Sequence, residues 1–235
     1  MRTQKMIMMI VLAALLIGVG AVVIVFLWLG WGLGAIVSAG AIAISAALFL
    51  TTLRPWYNRW GATDEEVSMS MPGDDLIPGG GSVTRAIGID APAANVWPWL
   101  VQLGFGKAGW YSYDWIDNDG HPSADMIVPE YQSLEIGDRI LMMPDMGFEV
   151  TSIDPERSIV SKLEDGSTSW CLAVYPQEDG STRLLTRWRN KWGKITVGNA
   201  FLIALTDPGT FIMEQKMLRE IRKRAESLSR SDTPL

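Results

Sequence analysis

The chain is poor in the residues that most often carry chemistry: it has one cysteine and one histidine among 235 residues. A lone Cys171 excludes an intramolecular disulfide and a cysteine-rich metal site, and it is compatible with a reducing compartment. His121 sits in a polar turn beside Pro122, with no nucleophile signalled near it, and reads as solvent-exposed. Charge is missing as well. No ionisable residue lies between Lys5 and Arg54, and no acid occurs before Asp64. Residues 1–60 therefore carry four cations and no acid, so the overall charge of −6 leaves −10 for residues 61–235. A polyanion is repelled by that remainder, and no nucleic-acid partner is expected.

What the first quarter does have is two long apolar blocks, at about residues 6–29 and 33–53. Each is near the roughly 20 residues that a helix needs to cross about 30 Å of hydrocarbon. A cleaved signal peptide should hold only about 7–15 apolar residues before its cleavage site, whereas here a second block follows at once. Residues 1–60 are read as a transmembrane helical hairpin. Arg2 and Lys5 before the first span, with Arg54 and Arg59 after the second, place both termini and the soluble domain in the cytoplasm of a two-pass inner-membrane protein. Trp28 and Trp31 then fall at the outer interface, and Trp56, Tyr57 and Trp60 at the inner one. The lack of charge inside the spans argues against an ion or proton pathway. Small residues at Gly34, Ala35, Ser38, Ala39, Ala41 and Ala43 suit close packing, so a membrane-protein partner is a candidate beside the membrane lipids themselves.

Residues 61–81 mix acids with turn formers and read as a linker; 82–230 read as the soluble domain and 231–235 as a tail. Alternation at Val83, Arg85, Ile87 and Ile89 predicts a first strand. A short helix to about Leu103 follows, with Pro98 expected to end or kink it. Strands are predicted at 139–143, 148–153, 157–163, 168–175 and 183–190, cut by Pro144-Asp145, Asp154-Pro155, Asp165-Gly166 and Asp179-Gly180. Short strands without intervening helices mean an antiparallel meander. Alternation within each strand sets Trp170, Leu172 and Val174 against Cys171, Ala173 and Tyr175, and Leu184, Thr186 and Trp188 against Arg183, Leu185, Arg187 and Arg189. A closing amphipathic helix is predicted from Asp207 as N-cap, with Met213, Met217, Ile221, Ala225 and Leu228 on its apolar stripe.

This order of elements, in an α+β class, resembles the helix-grip fold of the START-like (SRPBCC) superfamily, which includes polyketide cyclases and lipid-transfer domains. The closer resemblance is to membrane-anchored bacterial members without an assigned reaction. It rests on Ala91-Pro92 through Val96-Trp97-Pro98-Trp99-Leu100-Val101-Gln102, Gly109-Trp110-Tyr111-Ser112-Tyr113-Asp114-Trp115, Ser123-Ala124-Asp125 through Pro129-Glu130, Gly137-Asp138, and Phe211-Ile212-Met213 with Met217-Leu218. The resemblance implies a curved antiparallel sheet wrapped on a long C-terminal helix with a cavity between them. It implies no shared reaction.

Two motifs invite other labels. Gly104-Phe105-Gly106-Lys107-Ala108-Gly109 matches the dinucleotide pattern but follows a helix and opens onto aromatics, the wrong context, so no cofactor is expected. Asp117-Asn118-Asp119-Gly120 resembles a calcium loop, yet its register puts Trp115 and Met126 at ligand positions, so a turn is expected and no metal. Asp114 and Asp125 flank the aromatic stretch and are expected to face Arg187 or Arg189 across a cavity mouth, as a structural ion pair or as weak catalytic candidates. The basic, tryptophan-bearing run 183–194 and the apolar residues 195–205 after it read either as an ordinary exposed strand end or as a segment that docks on an anionic leaflet. Trp97, Trp110, Tyr113, Trp115, Trp170, Trp188, Met213 and Met217 are the candidate lining of a site for a hydrophobic, lipid-like small molecule. A binding module is preferred on this reading. An enzyme of the cyclase or hydrolase kind, with Asp114, Asp125, His121 or Arg187 in the chemistry, and an accessory subunit of a membrane complex stay open beside it.

Overall fold

The computed structural model describes residues 2–191 and 197–231 and forms two compact units, Met1–Tyr57 and Asn58–Leu235. In the first, α1 (Arg2–Leu48) runs on through a π-helical turn, Phe49–Leu53, into α2 (Arg54–Asn58). Leu16–Asn58 is long and apolar enough to cross a membrane. The expectation of separate helices at 6–29 and 33–53 is corrected in its boundaries: the helical segment is continuous except at Gly30, whose φ of 71° and ψ of 174° lie in a region closed to residues with a side chain. A Cβ built on Gly34 would come within 3.0 Å of the Phe26 Cα. Eight residues along an unbroken helix span about 12 Å, so the chain bends sharply at Gly30.

The second unit is built on a six-stranded antiparallel sheet of order β1-β6-β5-β4-β3-β2. Its strands are β1 (Gly81–Ile89), β2 (Arg139–Met143), β3 (Met146–Asp154), β4 (Ser158–Leu163), β5 (Thr168–Pro176) and β6 (Thr182–Asn190). Tight polar turns force the meander from β2 to β6, and β1 closes onto β6 along nine paired residues. Register shifts at Leu141/Met143 and Val150/Ser152 bend the far strands. Two helices pack together on one face: α4 (Ala93–Val101) lies against β5, and the long α6 (Val197–Ser231) against β1. Buried between them and the sheet are Trp99, Leu100, Phe148, Trp170, Leu172, Leu184, Leu218 and Ile221.

Two helix boundaries differ from expectation. Helix α4 runs through Pro98 to Val101, forgoing one backbone bond. Helix α6 begins ten residues before Asp207, so Asp207 is not its N-cap and Pro208 is interior. The leucines and alanines of 200–205 are strong helix formers and carry the helix up to the proline. Trp192 to Thr196 lie outside the described residues, so that part of the expected docking run has no structural account.

The second face of the sheet shows the larger departure. Residues 61–77, expected as a linker, cover it: α3 (Asp64–Ser68) is capped by a reciprocal Thr63/Glu66 box, and Met71 and Ile77 are buried. Met71 joins Ala86, Val160, Cys171, Ala173 and Leu185 in a second, smaller core. Gly61 packs so tightly on β1 that a Cβ there would meet the Ala86 carbonyl oxygen at 2.1 Å, and its φ of +74° suits glycine alone among neighbours of that size. Apolar residues on both sheet faces require this second layer, and the residues nearest in sequence supply it.

Candidate functional site

Between the sheet and α6 lies an aromatic wall. Cross-strand register pairs Trp170 of β5 with Trp188 of β6, and their rings stack with centroids 5.1 Å apart. Phe148 of β3 meets both, at 5.9 and 5.4 Å. Trp110 stands 5.7 Å from Trp170 and donates its indole N–H to the Leu141 carbonyl at 3.2 Å. Trp170 and Phe148 are buried, whereas Trp188 is half-buried. The Trp170 indole N–H is buried with no acceptor among the described residues. Met217 is buried in the same core, Trp97 packs partly buried against that core, and Met213 is partly exposed.

Next to the wall is a polar centre that pattern reading passed over. Arg85 of β1 and Glu214 of α6, both nearly inaccessible, form an ion pair. Glu214 also accepts hydrogen bonds from the Thr186 hydroxyl and, at 2.8 Å, from the Trp188 indole N–H. The Arg85 guanidinium lies 5.3 Å from the Phe211 ring centroid. Both charges carried a signal. Arg85 interrupts the apolar row Val83, Ile87, Ile89, and Glu214 interrupts the helical stripe Phe211, Met217, Leu218, Ile221. A charge on an apolar face is expected to have a buried partner, and each is the other's.

The aromatic stretch 109–120, which holds the short helix α5 (Asp114–Asp117), folds over one end of this interior. Tyr111 is buried at φ 51°, its hydroxyl accepting from Gln102 Nε2 at 2.8 Å, with the Arg224 guanidinium 4.8 Å from its ring centroid. Burial holds its phenol well above the ordinary range. Ser112 donates to the Met213 carbonyl at 3.0 Å, tying the stretch to α6. The dinucleotide-like loop closes on itself through paired Gly104 and Gly109 backbone bonds of 3.1 Å, leaving those amides nothing to offer a phosphate. Asn118 donates to the His121 carbonyl at 2.8 Å, a turn, and no group of three metal-ligating side chains forms among the described residues.

The acidic candidates part company. Asp114 accepts a 2.5 Å bond from the Ser123 hydroxyl, Asp125 and His121 are exposed, and Arg187 is buried on the opposite face of the sheet. The expected meeting of Asp114 or Asp125 with Arg187 or Arg189 across a mouth is therefore corrected. The outward side chains of β6 point into the 61–77 cover, where Arg187 pairs with Asp74 at 2.9 Å and Arg189 with the same carboxylate at 3.4 Å. The enzyme candidates are not gathered around one point.

Asp117 is the perturbed acid. Burial first, and then the neighbouring charge of Asp114, push its carboxyl up to about 6, and the nearby Ser112 hydroxyl and Tyr113 backbone offset this only in part. A carboxyl that holds its proton more tightly when folded adds stability at low pH, and that stability is lost as pH rises from about 4 through about 6. Asp117→Asn is therefore expected to flatten the fall in Tm across that window and to raise Tm at neutral pH. Melting curves of both proteins at several pH values check it, and parallel curves would refute it.

No family model matches the chain, and no curated protein matches it. Solved structures do. A polyketide-cyclase-like protein from Corynebacterium glutamicum aligns at 16% identity, covering 66% of this chain and 95% of its own, with a TM-score of 0.32. An AHSA1-like protein from Aeromonas hydrophila aligns at 13%, covering 65% and 98%, with a TM-score of 0.37. A protein from Bacillus halodurans aligns at 14%, covering 62% and 96%, with a TM-score of 0.39. The helix-grip arrangement is carried by this chain's own strand register and helix packing, whatever those proteins bind.

Proposed function

We propose that the protein is a membrane-anchored binding module of the START-like kind, holding an amphiphilic, lipid-like molecule between the sheet and α6. The carrying observation is the buried Trp170 indole N–H without an acceptor. Leaving such a donor unpaired costs about 1–3 kcal/mol, and a carbonyl or ester oxygen of a ligand is the acceptor that this apolar wall lacks. The neighbouring Arg85–Glu214 pair supports the same reading. A buried ion pair is weak as a stabilising device, since apolar residues of like volume replace it at little or no cost, so its place here suits a polar headgroup. The apolar body then lies against Trp110, Trp188, Met213 and Met217, with Trp97, Tyr113 and Trp115 toward the rim. Because the wall rings touch, entry displaces half-buried Trp188 and leaves Trp170 and Phe148 in place.

The anchor in this reading is a hairpin of two spans turning at Gly30, with both ends cytoplasmic. The sharp bend, the approach of Phe26 to Gly34 and the cations at either end support it.

Lipid extracted from the purified full chain, compared by mass spectrometry with bulk membrane lipid, tests the function. One species enriched on the protein is expected. Trp170→Phe removes the donor and keeps an aromatic face; it is expected to cut retention about fivefold to tenfold, roughly the 1 kcal/mol of one hydrogen bond, while the smaller buried ring leaves a cavity and lowers Tm. No enriched species on the wild-type chain would overturn the proposal.

A further inference from the structure

The outward face of α6 has a composition opposite to that of the domain carrying it. Ile212, Lys216, Arg219 and Lys223 recur at i, i+4, i+7 and i+11 and so form one stripe, turned away from the buried Glu214, Met217, Leu218 and Ile221. Ile212 is 49% exposed, and Arg219 and Lys223 are exposed. The acids of this stretch are engaged elsewhere: Glu214 is buried with Arg85, and Glu220 pairs with Arg224 at 2.5 Å. In a domain of net charge −10 this is a basic, partly apolar strip.

Its surroundings say where it lies. On one side Trp60 packs against Phe211, 6.3 Å between ring centroids, and under the Arg219 guanidinium at 5.4 Å. Trp60 is two residues beyond Asn58, the end of the candidate membrane span, so the chain places it within about 7 Å of that end. On the other side Lys216 Nζ stands 4.1 Å from the Tyr113 ring centroid, and Trp115, 6.3 Å further on, is 45% exposed. Toward its N-terminus, α6 opens with the uncharged sequence Val197-Gly198-Asn199-Ala200-Phe201-Leu202-Ile203-Ala204-Leu205. Nine helical residues reach about 13 Å, too short for a span and suited to the interfacial layer. Tryptophan, tyrosine, isoleucine and long cations side by side are the composition of a membrane–water boundary.

We infer that this face of α6, with Trp115 at its edge, docks on the anionic headgroup layer of the same bilayer that holds the anchor. The inference rests on the membrane anchorage proposed above. Docked so, the aromatic stretch 109–120 lies at the lipid surface, and an amphiphile passes between bilayer and interior with little exposure to water.

The full chain in vesicles of phosphatidylcholine and phosphatidylglycerol tests it. With Cys171→Ser as background, a fluorophore is attached at Ile212→Cys and, as a water-facing control, at Glu178→Cys in the β5–β6 turn, where Glu178 is exposed. Quenching of the Ile212 label by a lipid-borne quencher is expected, with at least fivefold less quenching by aqueous iodide than at position 178, and the protection is expected to weaken without phosphatidylglycerol. Iodide quenching equal to that at 178 overturns the inference. Protection from both quenchers overturns it too, because a partner protein or second copy then covers the face. Alkaline carbonate extraction of the same vesicles reads the anchor separately. A released chain defeats the anchor and the docking together, whereas a retained chain with a water-exposed label defeats the docking alone.

Discussion

Arg187→Ala is expected to cost about 3–5 kcal/mol of stability and to open the 61–77 cover around Asp74 and Met71. The guanidinium is buried and uses its whole donor fork. It reaches the Thr84 hydroxyl at 2.9 Å, the Asp74 carboxylate at 2.9 Å, and the carbonyls of Met69, Glu66 and Val67 at 2.6, 2.6 and 3.1 Å. Removing it strands three carbonyls and leaves the Asp74 carboxylate with only Arg189 at 3.4 Å and the Met71 backbone N–H at 2.9 Å, and lysine cannot restore a planar five-donor geometry, so Arg187→Lys should recover only a minor part. Arg183 remains as a second clasp, bonded to Glu66 at 2.7 and 2.9 Å, and it holds the Glu66 carboxyl below its ordinary range. The cover is therefore expected to open locally around Asp74 and Met71 in the variant, with its Glu66 end still held and the main core intact. Cys171 reports the opening directly. It is buried under the cover, where burial and then the Asp74 charge push its thiol up to about 12, making it inert in the native protein. Since each 1.4 kcal/mol is a factor of ten, its alkylation should accelerate by about a hundredfold or more in Arg187→Ala. Unchanged labelling and an unchanged Tm would mean that the cover is held by its apolar contacts alone.

The second large effect is at the ion pair inside the grip. Glu214→Leu leaves a guanidinium buried without its carboxylate, and Arg85→Leu leaves the carboxylate with only Thr186 and Trp188; each is expected to cost about 3–5 kcal/mol. The double variant removes both charges together and should recover most of that loss, a coupling of several kcal/mol between residues 129 positions apart in sequence. Chemical denaturation of the four proteins measures the cycle, and additive losses would refute the pairing. The double variant also separates scaffold from ligand site. If the pair serves a headgroup, a folded double variant loses the enriched lipid; if it serves the fold, the lipid stays.

Much of the architecture was legible in the residues themselves because it is local. Turn chemistry at Asp154-Pro155, Asp165-Gly166 and Asp179-Gly180 delimits strands, and period-two alternation assigns Trp170, Leu172 and Val174 to one face and Cys171 and Ala173 to the other, as the two cores show. The spacing of Met217, Ile221 and Ala225 does the same for α6. Each of these depends on a neighbour one to four residues away. The start of α6 was not legible, because helix propagation from 197 outweighed the cap-and-proline signal at 207 and 208. Nor was the cover: turn formers at 72–81 read as a loop, and the outward apolar and arginine residues of β4, β5 and β6, more than 80 residues later, give 61–77 most of what it binds.

Charge partners divide in the same way. Residue pattern marks the anomalous positions, a charge at Arg85 and at Glu214 on apolar faces and a row of arginines on β6. Whom each one meets follows from the folded chain. Strand pairing brings Arg85 opposite Thr186, within reach of Glu214, and sheet sidedness sends Arg187 to Asp74 and away from Asp114. Alternation tells a side chain which face to take; what lies on that face is set by elements far along the chain.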